Sequence, residues 1–166
     1  MDDFHTQFRQ FLYLDRKRAA EGLSPSELRR WLKLKRILNQ KFSPNTSYER
    51  AERRESVRVP VRLRVSFTNL GELGASLMTN LSRGGVFIAT DQPAEIGTRL
   101  ELRLHIEDTG EEINVPGEVV SQNMGPNFES GQSGMGLRFL EMKPEVARKV
   151  EALYERKLKE AAERES

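Results

Sequence analysis

Arg53, Arg54 and Arg58 stand in one short stretch, Arg53-Arg54-Glu55-Ser56-Val57-Arg58, where a polar, helix-forming front end gives way to residues of strand character. Arginine stays charged at any physiological pH and presents a planar fork of N–H donors. That fork fits a phosphate bidentately, and it fits the O6/N7 edge of a guanine equally well. A charge run alone is usually a solvated surface, but a second stretch, Asn80-Leu81-Ser82-Arg83-Gly84-Gly85, follows one strand later. Asn80 can both accept from and donate to a base edge, and Ser82 offers a hydroxyl. Gly84 and Gly85 permit positive φ and would let backbone N–H groups approach a ligand, with Arg83 beside them as a further cation. The chemistry on offer is cationic forks, able to hold an anion or a base edge, beside short polar groups and a flexible backbone.

The front end reads as two helices. Phe4, Phe8, Phe11 and Leu12 fall at helical spacing, followed by the charged run Asp15-Arg16-Lys17-Arg18. Gly22 suits the left-handed residue that ends a helix. Ser24-Pro25-Ser26-Glu27 is a start signal: Ser24 caps, Pro25 takes the first helical position, and Glu27 closes a capping box. The second helix is expected to reach about Lys41, with Leu28, Trp31, Leu34 or Lys35, and Leu38 along its apolar stripe. Its basic residues, Arg29, Arg30, Lys33, Lys35 and Arg36, surround the helix and alternate with leucines, with little polar or aromatic interleaving, so they read as a solvated, partner-facing surface rather than a nucleic-acid interface. Ser43-Pro44-Asn45-Thr46-Ser47 is turn and linker chemistry.

The period then changes. Val57, Val59, Val61, Leu63, Val65 and Phe67 alternate with polar residues, which predicts a half-buried strand and places Arg58, Arg62 and Arg64 on its outward face. Pro60 predicts an irregularity near the strand's beginning. Ala75–Thr79 forms a second strand that delivers Asn80, and Val86–Ala89 a third. Leu100 to Ile106 and Ile113 to Val119 alternate again, with a turn at Glu107–Gly110, and Met135, Leu137 and Phe139 build a last strand. The loop from Gln122 to Ser133 is long for a hairpin. Pro144 opens a final helix with Val146, Val150, Leu153 and Leu158 on one face, and its charged tail, Glu160 to Ser166, is expected to fray. Short strands between turn signals suggest a closed barrel or a sandwich.

At 166 residues the chain suits one domain plus an appendage. The net charge of +2 is a small difference between 27 basic and 25 acidic residues, and is weak ground for nucleic-acid binding. No cysteine is present, which excludes disulfides and thiolate sites. No apolar run approaches the roughly 18 residues a membrane span needs, and Met1-Asp2-Asp3-Phe4 lacks signal-peptide character, so a soluble, cytoplasmic protein is expected. His105 falls on the polar phase of its strand and reads as an exposed strand histidine. No Ser/His/Asp grouping, paired metal carboxylates or P-loop stands out, so an enzyme is not expected.

Together the two polar stretches resemble the PilZ domain, a family of bacterial receptors for the second messenger cyclic di-GMP. The RxxxR pattern is matched by Arg54 and Arg58, [D/N]xSxxG by Asn80, Ser82 and Gly85, and the weaker GxGxxF strand by Gly134, Gly136 and Phe139. The resemblance covers about residues 53–142 and implies there a six-stranded antiparallel barrel followed by a C-terminal helix over 143–166; ahead of it, outside the resemblance, the residues themselves give a helical hairpin over 1–42 and a linker over 43–52, for a mainly β fold with helical additions. The resemblance also implies cyclic di-GMP as ligand, held by Arg54, Arg58, Asn80 and Ser82 with Arg53, Arg83, Gly84 and Gly85 in support. In similar proteins an Arg at the position of Arg53 goes with an intercalated ligand dimer, so about two molecules per chain are expected. A ligand touching both stretches would clamp the linker to the barrel and redirect the helices. Its output would be exposure or burial of Phe4, Phe8, Phe11 and Trp31 toward a protein partner or a second copy. The alternative is a PilZ-fold protein-interaction module that binds no nucleotide.

Overall fold

The computed structural model describes residues 3–43, 54, 56–69, 72–107, 109–123 and 133–164. Arg53 and the expected linker beyond Ser43 lie outside them. Helix α1 spans Phe4–Ala20, with Asp3 as N-cap accepting from the Thr6 N–H at 2.7 Å. It ends where Gly22, at φ 89°, turns its N–H back to the Lys17 carbonyl. Helix α2 spans Pro25–Phe42 and starts with the full capping box of Ser24 and Glu27. Phe8, Phe11, Leu12 and Leu14 of α1 are buried, as are Trp31, Leu34, Leu38 and Phe42 of α2.

Three residues of this hairpin depart from the expected pattern. Leu28 leaves the stripe and is 42% exposed. Lys35, counted with the basic residues and also as the alternative to Leu34 on the stripe, is buried along with Leu34, and its Nζ donates to the Arg54 backbone carbonyl. Asp15, read as part of a charge run, is also buried.

Strands β1 (Val59–Asn69), β2 (Glu72–Leu81), β3 (Gly85–Ala89), β4 (Arg99–Ile106), β5 (Glu111–Asn123) and β6 (Gly134–Phe139) close into an antiparallel barrel. The order around it is β1-β2-β3-β6-β5-β4. Val59, Val61, Leu63 and Val65 point inward, while Arg58, Arg62 and Arg64 are exposed, as the alternation requires. The irregularity expected at Pro60 is a register shift between Pro60 and Leu63 in the β1–β2 pairing. Strand β6 returns to lie between β3 and β5, so the Gly134–Phe139 strand runs beside the Asn80–Gly85 turn. A Cβ on Gly85 would lie 2.2 Å from the Leu137 carbonyl oxygen, and one on Gly134 would lie 2.3 Å from that of Ile88. These glycines are there because β3 and β6 approach closely.

Helix α3 (Pro144–Arg164) packs on β1, β5 and α1. It buries Val150, Leu153, Tyr154 and Leu158, but also Ala161 and Ala162. The tail expected to fray is therefore helical to Arg164, because two small apolar residues anchor its last turns. Arg16 of α1 grips Glu155 of α3 through Nε at 2.9 Å and Nη2 at 2.8 Å. Hairpin, barrel and α3 share one apolar core, so the hairpin is not an appendage. No described helix is long and apolar enough to cross a membrane.

Candidate functional site

A cleft of about 560 Å³ opens on the barrel between the start of β1, the β2–β3 turn and the facing ends of β5 and β6. Arg54, Arg58, Asn80, Ser82, Gly84 and Gly85 all line it. Arg58 is exposed, and Arg54, Asn80 and Ser82 are half-buried. Two stretches separated by a whole strand thus meet because β1 pairs with β2, Pro60 opposite Asn80 and Val59 opposite Leu81.

The β2–β3 turn is tied internally and from β6. The Ser82 N–H and hydroxyl both donate to the Gly85 carbonyl, at 2.9 and 3.2 Å, and the Phe139 N–H donates to the Gly84 carbonyl at 2.9 Å. Positive φ was the expected reason for Gly84 and Gly85, yet neither adopts it. Gly85 is needed for close strand approach, and Gly84 has no atom within 4 Å of where a Cβ would stand.

Arg83 does not line the cleft. Its Nη2 donates to the Asp15 carboxylate and its Nη1 to that of Glu151, while the guanidinium carbon lies 5.3 Å from the centre of the Tyr154 ring. Arg53 lies outside the described residues.

The fold brings further groups that the motifs do not name. Ser121 and Asn123 of β5 and Arg138 of β6 supply polar lining, and Phe87 and Val120 supply apolar walls. Arg138 donates to Glu118 through Nη2 at 3.0 Å and Nε at 3.2 Å, which holds a third guanidinium at the cleft. Strand alternation was the available signal: with Met135 and Leu137 inward, Arg138 had to face out. Gly136 leaves room for Ser121, whose Oγ would lie 2.5 Å from a Cβ there. The site is an open cationic groove with small donors and acceptors on its floor, suited to holding a phosphorylated purine.

A second grouping, unseen in the linear sequence, lies on the outer face of the barrel. Ser66 Oγ is 2.9 Å from His105 Nε2, and His105 Nδ1 is 3.3 Å from Glu112. Register produces it, since His105 stands opposite Arg64 in β1 and Glu112 in β5. His105 is accordingly half-buried and partnered rather than simply exposed. Ser66 stands opposite Ala75 in β2 and Arg103 in β4.

The sequence profile of the PilZ domain family matches residues 52–156. Among solved structures the chain is similar to the PilZ domain of YcgR from Escherichia coli with c-di-GMP, at 20% identity and a TM-score of 0.56, over 68% of this chain and 96% of that one. It is similar to the MrkH–c-di-GMP complex of K. pneumonia at 18% identity and a TM-score of 0.57, over 69% and 56% of the two chains. For the inhibitor of motility MotI/DgrA of Bacillus subtilis the values are 21% and 0.52, over 68% and 51%. The chain thus spans about half the length of MotI/DgrA and MrkH and nearly all of the YcgR domain. Comparison with curated proteins finds no match.

Proposed function

The chain belongs to the PilZ domain family, and from that premise we propose that it is a receptor for cyclic di-GMP, reading the nucleotide with Arg54, Arg58, Asn80 and Ser82. One observation carries this reading: both halves of the pattern line the same cleft. The YcgR and MrkH structures with c-di-GMP share its fold and add support. Arg54 and Arg58 offer forks to phosphates and to the Hoogsteen edge of guanine, and Asn80 and Ser82 take the remaining base-edge and phosphate positions. Asn80 stands where the family often has Asp, which trades one charge-assisted bond to a guanine N–H for a neutral one. No bond is made or broken in this role. The output passes through the helices that share the barrel's core to a partner protein or a second copy.

Calorimetry with cyclic di-GMP on the wild type, Arg54→Ala and Arg58→Ala tests the assignment. Hydrogen bonds to charged groups contribute about 1.5–3 kcal/mol, so each variant is expected to bind at least about ten-fold more weakly. The fold should persist, since neither side chain belongs to the apolar core. Unchanged affinity in both variants would remove these arginines from the site, and no binding by the wild type would leave the protein-interaction reading.

A further inference from the structure

Ser82 and Gly84 line the cleft, while Arg83 between them reaches away from it, into the helices. Its guanidinium is held at both ends, by Asp15 of α1 and Glu151 of α3, and its side chain is only 22% exposed. Asp15 is 2% exposed, and its Oδ1 accepts from Trp31 Nε1 of α2 at 3.0 Å. A carboxylate so deeply buried is costly unless it is paired and hydrogen-bonded. Docked helices therefore require Arg83 in this position, and Arg83 in this position sets the backbone of the turn that presents Ser82 and Gly84.

We propose that Arg83 is a positioning residue rather than a ligand contact, and that through Asp15 and Glu151 the α1–α2 hairpin and α3 are a working part of the nucleotide site. The inference rests on the cyclic di-GMP reading above and adds the residues that regulate it. Coupling of this kind is reciprocal: whatever the docked helices contribute to ligand affinity, bound ligand returns to helix docking. Trp31 is the chain's one tryptophan, buried and bonded to Asp15. Its emission is thus a reporter on the far side of the relay from the ligand.

The test uses the full chain with cyclic di-GMP as probe, following calorimetry and Trp31 emission in parallel titrations. Asp15→Asn removes the charge that faces Arg83, and Glu151→Gln does the same from a partly exposed position that the fold tolerates. Neither residue lines the cleft. The expected result is a saturable change in wild-type emission at the calorimetric midpoint, with affinity lowered about ten-fold in each acid variant. Arg83→Gln should lose as much, and adding Glu151→Gln to it should cost little more, while Arg83→Lys recovers part of the loss. If Asp15→Asn fails to fold by circular dichroism, Glu151→Gln decides alone. Binding that is unchanged in the acid variants but weakened in Arg83→Gln makes Arg83 a ligand contact and overturns the positioning role. A wild type that binds with silent Trp31, alongside an unaffected Glu151→Gln, overturns it too and leaves the receptor reading intact. No binding by the wild type overturns the receptor reading, and the relay falls with it.

Discussion

The hydroxyl of Tyr154, in α3, donates a 2.5 Å hydrogen bond to the backbone carbonyl of Val57, the residue just before Arg58. Tyr154 has no solvent exposure. Tyr154→Phe keeps the ring but leaves that carbonyl without its donor, at a cost of about 1–3 kcal/mol. The melting temperature should fall by a few degrees, and Arg58 should be held less firmly for its ligand. Burial also pushes the phenol well above its usual value near 10.0, with Asp15 adding to the effect and Arg83 opposing it. A raised value in the folded state means that the stabilisation is complete below pH 10 and is lost as pH rises beyond it. Chemical denaturation between pH 8 and 11.5 checks both points. A Phe variant as stable as wild type, with the same alkaline slope, would mean that the bond contributes nothing.

Gly84 and Gly85 are neighbours with opposite tolerances. Gly85→Ala places a methyl group against the Leu137 backbone, and relief requires β3 and β6 to separate, costing about 3 kcal/mol or more. Gly84→Ala meets open space at a φ any residue can adopt, so its stability should stay within about 0.5 kcal/mol of wild type. Urea melts of the pair settle the matter, and equal midpoints would contradict the steric account.

Much of the barrel was legible because β alternation is local: Val59 to Val65 and Leu100 to Ile106 show their inward faces within a few residues. The hairpin's ends were equally local, being written in Gly22, Ser24 and Glu27. Of the site, the residues of the two motifs could be named in advance, and the cleft collects those from Arg54 to Gly85 other than Arg83. What stayed hidden depends on partners distant in the chain. Asp15 looks like one charge among four until Arg83 arrives from the barrel. Ser66, His105 and Glu112 form a group only through strand register. Tyr154 carried no signal beyond helical spacing, and its role follows from where α3 meets the start of β1.

The hairpin should be acid-labile at its turn. Lys17, bonded to Glu27 Oε2 at 2.7 Å, and after it the Ser24 backbone and side chain together bring that carboxyl from the ordinary 4.5 down to about 2. A depressed value means that the stabilisation is present above pH 4.5 and is lost as pH falls toward 2. Glu27→Gln should flatten hairpin stability across that window while retaining the cap, as followed by Trp31 emission or amide exchange in α1 and α2. An identical acid profile in the variant would assign the loss to other carboxylates, with Glu155, lowered by Arg16, the first to examine.

The expectation placed on Arg53 concerns stoichiometry. A further guanidinium, next to Arg54 in the sequence, could stack on a guanine face and offset the charge of a second nucleotide. Calorimetry is expected to give about two cyclic di-GMP per wild-type chain and about one for Arg53→Leu, whose apolar side chain can do neither. A single site in both proteins would leave Arg53 without a special role.

Lys35 ties the hairpin to the other half of the site, as Arg83 does to the first. Its Nζ donates to the Arg54 backbone carbonyl and lies 5.3 Å from the centre of the Trp31 ring, and the residue is only 3% exposed. Lysine at such a position is there for its donor, because an apolar side chain would fill the space at lower cost. Lys35→Met matches the length and keeps the packing while removing the donor. The fold should survive, and amide exchange at residues 54–58 should quicken. Cyclic di-GMP affinity should drop several-fold, since Arg54 would then be ordered at the ligand's expense. Wild-type exchange at 54–58, together with wild-type affinity, would show that α2 does not hold the arginines in place.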